Sequence, residues 1–296
     1  MDRQIVVMSN CQTGGVTASL RAMLPDDHVE PVMWLGREPD ELAELLTRTD
    51  VLVTSLDRAT ATAILDRHGV SPVLIVIPTL YFTGLHPDLS QFLLRGGGEL
   101  QGIAGPYHSK IVVWGWLHGI PPEEILAYFN PATYVGLGYL DAWAGALAIL
   151  RGQFDGTDVD FGAWYLRAVR HGSFMLTNNH PRLVSLVELA RLVAERLGAD
   201  ADLVAYDWTL AIPDGLLATG VSWPIYPGVG AAIDLPGTYG WRLADGSIIG
   251  LERFVSASIS TYYEADPSIV DHDHLLADPR FLAVLGDRRP TPTGGR

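Results

Sequence analysis

Apolar residues follow two rhythms in the first third of the chain. Gln4–Met8, Val29–Trp34, Val51–Thr54 and Val73–Ile77 are short runs without polar alternation, the pattern of parallel strands covered on both faces. Between them Val16–Leu24, Glu38–Thr47 and Arg58–His68 place apolar positions at helical spacing. The order βαβαβαβ predicts an α/β fold with a doubly wound, flavodoxin-like parallel sheet flanked by helices. Beyond Pro78 the rhythm turns helical, over Pro87–Leu94, Tyr107–His118, Pro122–Phe129, Tyr134–Leu150, Asp160–Arg170 and Leu183–Leu197. In the last of these Leu183, Leu186, Val187, Ala190, Val193 and Leu197 share one face. After Gly198, prolines at 213, 224, 227 and 236 among aromatics and glycines predict a loop-rich segment packed on the core, with a final helix at Leu251–Tyr263. The expected division is a core with helical additions over residues 1–205, a loop-rich segment over 206–285 and a frayed tail over 286–296.

Composition narrows the functions open to such a fold. The 296 residues carry a formal net charge of −14 without a lysine and arginine cluster, so nucleic acid is not an expected partner. No apolar run is both long enough and free enough of charge to span a bilayer, and no secretory signal is visible, so a cytoplasmic protein without a membrane span is expected. The single cysteine, Cys11, rules out an internal disulfide and a cysteine cluster for a metal. An anionic ligand would need local capture, by helix N-termini or isolated cations, which draws attention to Lys110, the sole lysine.

Cys11 lies in Ser9-Asn10-Cys11-Gln12, after the first strand and before a helical run. That is the carboxyl edge of the sheet, where open α/β folds bind ligands. Backbone N–H groups and a helix dipole there favour a reactive thiolate, and Thr13-Gly14-Gly15 lets backbone donors approach an oxyanion. The plainer reading is a small buried side chain. Thr177-Asn178-Asn179-His180-Pro181 precedes the Leu183 helix, where a neutral histidine can serve as base and an asparagine can cap, orient the ring or donate to an oxyanion; a simple capping loop is the alternative. Tyr81, Phe82 and His86 follow the fourth strand and can line a substrate pocket, or be core and cap. Tyr107, His108, Ser109 and Lys110 open a helix and can hold a phosphate, or be a solvated helix start. Asp271-His272-Asp273-His274 reads as a solvated cap, and no metal is expected.

Taken in order, the blocks SNCQ, IPTLYFTGLHPDL, PYHSKIVVWGWLHGIPPEEILAYF, FMLTNNHPRLVSLVELARLVAERLG and WPIYPGVGAAIDLPGTYGWR resemble the WcbI family of capsule-polysaccharide biosynthesis proteins over about Ile5 to Tyr263. The resemblance implies coenzyme A or acetyl-CoA binding, an acetyltransferase role on a sugar or glycan acceptor, and a fold related to SGNH/GDSL hydrolases with Asn10-Cys11 in place of their Asp-Ser pair. The hydrolase acid three residues before the histidine is absent, since Thr177 stands there, so the mapping is a Cys11–His180 dyad oriented by an asparagine. On this mapping Cys11 carries the acyl group, His180 is the base, and backbone groups around Cys11 and Gln12 with Asn179 or Asn10 stabilise the oxyanion. A direct transfer without acylation of Cys11 stays open beside it. The coenzyme phosphates are expected at Gly105–Lys110, with Arg21 and Arg182 next in line. Two other readings are an SGNH-like esterase or thioesterase, and a non-catalytic coenzyme A-binding subunit. A homo-oligomer stays open.

Overall fold

The computed structural model describes residues 2–33, 39–213, 220–263 and 265–286. The expected tail at 287–296, together with Trp34 and Glu38 at the edges of two predicted elements, lies outside the described residues. The chain divides into two compact units, residues 1–82 with 148–218, and residues 83–147 with 219–296. The division is therefore interleaved, where the sequence suggested a sequential core and C-terminal segment.

The first unit holds a four-stranded parallel sheet of order β2-β1-β3-β4, with β1 Gln4–Ser9, β2 His28–Met33, β3 Val51–Thr54 and β4 Val73–Val76. Helices α1 Thr13–Met23, α2 Pro39–Thr47 and α3 Arg58–His68 connect them. Leu45, Leu46 and Leu65 of α2 and α3 pack on the face made by Val6, Met8 and Leu52. Right-handed crossovers place α1 on the opposite face, where it packs against the helix Leu183–Arg196. Gly15 is the close-approach point, since a Cβ there would collide with Leu186 Cδ1.

Both sheet edges are protected. Pro31 sits in the edge strand β2, where a sheet tolerates a residue without an N–H. At the other edge Asp158 mimics a further strand: Val76 N–H donates to its carboxylate at 2.8 Å and its own N–H donates to Val76 O at 2.8 Å. Arg58 and Arg196 neutralise that carboxylate.

The second unit is organised around a carboxylate that the sequence does not single out. Asp88 is fully buried and accepts from Tyr139 Oη at 2.8 Å, Tyr226 Oη at 2.7 Å and the Ile111 N–H at 3.1 Å. Its backbone carbonyl accepts from Lys110 N at 2.9 Å. The expected helix Pro87–Leu94 does not form; Leu89–Ser90 pairs instead with His108–Ser109 as a short antiparallel ladder. The expected Tyr107–His118 helix accordingly begins only at Lys110, capped by the Ser109 hydroxyl. Tyr134–Leu150 is two helices, Pro131–Gly136 and Ala142–Gly152, parted at Gly138, whose φ of 73° is left-handed. The segment expected to be loop-rich also contains the helix Pro227–Ala232.

Two imidazoles of this unit make its stability pH-sensitive. Burial holds His86 neutral, with its pKa lowered to about 3, and lowers that of His108 to about 4, against 6.5 for an exposed ring. The unfolded chain takes up these protons first, so the contribution is complete above about pH 6.5 and is lost as pH falls toward the folded values. A drop to pH 5 is expected to cost about 2 kcal/mol per ring, visible as a lower urea midpoint than at pH 7.5.

Candidate active site

The strand order switches direction between β1 and β3, the point at the carboxyl edge where open α/β sheets bind ligands, and the Asn10-Cys11-Gln12 turn follows β1 at that edge. Asn10 shapes the turn. Its Oδ1 accepts the Gln12 N–H at 3.0 Å, and its carbonyl accepts from Thr13 N at 3.0 Å and Thr13 Oγ1 at 2.6 Å. The Asn10 Nδ2 has no partner among the described residues and remains a free donor. Cys11 is exposed, with Sγ 4.0 Å from Asn10 Oδ1.

The thiol differs from the expectation of a lowered pKa. Surrounding protein raises it above the ordinary thiol value, opposed only in part by its own backbone N–H. A neutral thiol needs a base.

Gln12 has a positioning part. Its amide is buried, donating from Nε2 to Leu80 O at 3.0 Å and accepting from Leu80 N at 3.2 Å. Its backbone N–H is engaged by Asn10, so Gln12 is not a free oxyanion donor. Gln153 holds the next residue in the same way, accepting from Tyr81 N at 2.9 Å and donating to Tyr81 O at 3.0 Å. An extended chain turns successive peptides to opposite sides, so two glutamine amides fasten Leu80-Tyr81 from both flanks. Gln12→Ala strands the Leu80 N–H and C=O in the interior, at an expected cost of about 1–3 kcal/mol in denaturant unfolding.

The same strap reaches the histidine loop. Phe82 N–H donates to Asn178 O at 2.7 Å. Residues 174–182 form a tight hairpin, closed by Leu176 N to His180 O at 2.7 Å and Arg182 N to Phe174 O at 3.0 Å. Thr177 is fully buried in it. Its hydroxyl donates to Asn179 Oδ1 at 3.0 Å, accepts from His180 N at 3.2 Å and meets His180 Nδ1 at 3.2 Å. With the hydroxyl hydrogen engaged by Asn179, Nδ1 is the donor toward Thr177 and Nε2 keeps its lone pair. Burial lowers the His180 pKa below its ordinary value, which keeps the ring neutral at pH 7. Threonine, held by asparagine, therefore orients the ring; the sequence assigned that part to an asparagine alone.

Cys11 and His180 belong to the same unit and stand at the same end of two packed helices. Gly15, in the first turn of α1, meets Leu186, in the first turn of the helix Leu183–Arg196, so the amino ends that follow Cys11 and His180 adjoin. The hydrogen-bonded route Gln12–Leu80 and Phe82–Asn178 joins the two loops a second time.

Other expected residues are placed differently. Tyr81 is 39% exposed and available to a ligand. Phe82 is wholly buried against Phe174, with ring centroids 5.0 Å apart, and cannot line a surface pocket. His86, 2% exposed, is enclosed in the second unit. The phosphate cradle expected at Tyr107–Lys110 is turned inward: His108 binds Tyr262 Oη at 2.6 Å and Leu100 O at 2.9 Å, Ser109 caps its helix, and Tyr107 is buried. Lys110 Nζ donates to Pro87 O at 2.7 Å and lies 5.9 Å above the Tyr139 ring. Arg21 occupies the last turn of α1, about 12 Å along the axis from its first residue, and donates to Val29 O at 2.8 Å. Arg182 precedes the Leu183 helix and lines a cavity of about 230 Å³ with His171, Leu183, Val184 and Thr209. Among the described residues no cluster of three metal-ligating side chains occurs, and no helix is long and apolar enough to cross a membrane.

Comparison with known proteins agrees with this architecture. No curated protein matches the sequence. A solved structure described as giving structural insights into WcbI, a novel polysaccharide biosynthesis enzyme, superposes with a TM-score of 0.72 at 13% identity, covering 96% of this chain and 97% of that one. It is described as the native protein without a disulfide bond between coenzyme A and a cysteine. At that identity the likeness establishes a shared fold. The sequence model of the family described as polysaccharide biosynthesis enzyme WcbI matches residues 4–202, which is most of the chain and includes both the Cys11 turn and the His180 hairpin, and the chain belongs to that family.

Proposed function

We propose that the chain is a coenzyme A-dependent acetyltransferase acting on a sugar hydroxyl in polysaccharide biosynthesis, with Cys11 as nucleophile and His180 as base. The observation that carries this reading is that the amino ends of two packed helices adjoin, with an exposed thiol in the turn before one and a neutral, oriented imidazole in the hairpin before the other. In the first step His180 Nε2 takes the Cys11 proton as Sγ attacks the thioester carbonyl; the bond to the coenzyme sulfur breaks, and that sulfur leaves with the proton. In the second the sugar hydroxyl gives its proton to His180 as its oxygen attacks the acetyl carbonyl, and Cys11 regains a proton as the new ester forms. Asn10 Nδ2, together with the backbone N–H of Cys11 once the thiol sulfur is acylated, supplies the donors for the oxyanion.

The residues present suit the coenzyme. Its thioester supplies an activated acyl group, exchanged at Cys11 for another thioester with little driving force required. Its phosphates need a cation, and Arg182, which donates from Nη1 to Ser173 O at 3.1 Å and lies in the same unit as Cys11 beside the His180 hairpin, is better placed than Lys110 of the second unit. Arg182→Ala is expected to weaken coenzyme A binding by roughly 1–3 kcal/mol in calorimetry, with Lys110→Ala near wild type. The test of the function is transfer of labelled acetyl from acetyl-CoA to a saccharide, abolished in Cys11→Ala; release of the label to water alone would identify a thioesterase.

A further inference from the structure

A cleft of about 300 Å³ lies at the carboxyl ends of β3 and β4, between the Ser55–Arg58 turn and the Val76–Thr79 segment, and Gln153 and Asp155 close one side. It adjoins the nucleophile turn along two routes. Ser55 Oγ is 2.6 Å from the hydroxyl of Ser9, two residues before Cys11. On the other wall Gln153 holds Tyr81, and the preceding residue Leu80 is held by Gln12, next to Cys11.

The cleft chemistry is that of a carbohydrate site. Val76, Ile77 and Pro78 form an apolar floor for the C–H face of a sugar ring, while exposed Thr79 and Asp155 offer a hydroxyl and a carboxylate to ring hydroxyls. The volume corresponds to roughly ten waters, room for one sugar unit. Its charge is the deciding feature. Asp57 and Asp155 both line it, and hydrogen bonds from Thr60 hold Asp57 ionised. The one lining cation, Arg58, shares the Asp158 carboxylate with Arg196, and the two lining aspartates outnumber it by one. A cleft so charged repels phosphates and carboxylates.

We propose that this cleft is the acceptor subsite and takes a neutral or amino sugar while rejecting acidic sugars. The proposal rests on the acyl-transfer reading above and adds the class of acceptor. It is tested on the full chain with coenzyme A present, by ligand-observed NMR with methyl glucoside, glucosamine and glucuronate as probes. The first two are expected to bind, and glucuronate at least tenfold more weakly. Thr79→Trp, an exposed position that fills the cleft, is expected to weaken methyl glucoside at least tenfold with coenzyme A affinity within twofold of wild type. Asp155→Lys reverses the preference toward glucuronate. The proposal is overturned if no probe binds, if glucuronate binds as well as methyl glucoside, or if Thr79→Trp spares the sugar or weakens coenzyme A tenfold. Binding needs no chemistry, so sugar bound in the cleft without any acetyl transfer counts against the transferase reading alone. Acetylation of Cys11 without sugar binding counts against the cleft alone.

Discussion

Replacing His180 by alanine is expected to slow acetylation of Cys11 by acetyl-CoA by about 10²- to 10⁴-fold. Two shifts in opposite directions make the effect large. The Cys11 thiol titrates above its ordinary value, so little thiolate exists at pH 7, whereas burial keeps the His180 ring neutral and able to accept the proton. In the wild type the rate should therefore be level near neutral pH and fall as pH drops through the lowered His180 pKa. His180→Ala should lose that acid limb and depend only on the thiol, rising toward alkaline pH. Thr177→Val removes the contact to Nδ1 and leaves the ring in place; it should lower the rate by less, and rapid-quench kinetics across pH separate the three proteins. Equal rates in wild type and His180→Ala would exclude His180 as the base.

Asp88→Ala is expected to destabilise the second unit by at least about 3 kcal/mol. Three buried donors, two phenols and a backbone N–H, lose their acceptor together, and each stranded group costs about 1–3 kcal/mol. Asp88→Asn keeps an acceptor and should fall between this variant and wild type. Thermal unfolding of the full chain checks the order; a loss below about 1 kcal/mol for Asp88→Ala would mean that the phenols find other partners.

Asp88 also marks where the sequence stops being readable. The sheet of the first unit was legible because uninterrupted apolar runs and αβ alternation are local signals: β3 and α3 fall at Val51–Thr54 and Arg58–His68 as expected. The segment after Pro87 carries helical periodicity too, yet Asp88 is claimed by Tyr139, Tyr226 and Ile111, and the chain pairs with residues 108–109 instead. Those partners are distant in sequence, and no window-based pattern reports them. The site divides likewise. The Cys11 turn and the His180 hairpin were visible from their helix-start contexts, but Thr177 as the ring's partner, and the glutamine straps on Leu80 and Tyr81, depend on tertiary contacts. Phe82 and His86 share the composition of pocket-lining loops and differ from Tyr81 in burial alone.

The central claim, that Cys11 carries the acyl group under the control of His180, is tested most directly by intact-protein mass spectrometry after brief incubation with acetyl-CoA. Cys11 is the only thiol in the chain, so a thioester adduct has one place to form. The account predicts a mass increase of one acetyl group, removed by hydroxylamine, absent in Cys11→Ala and strongly delayed in His180→Ala. Full acetyl transfer by Cys11→Ala, or an unmodified wild-type mass under conditions where a saccharide becomes acetylated, would contradict it.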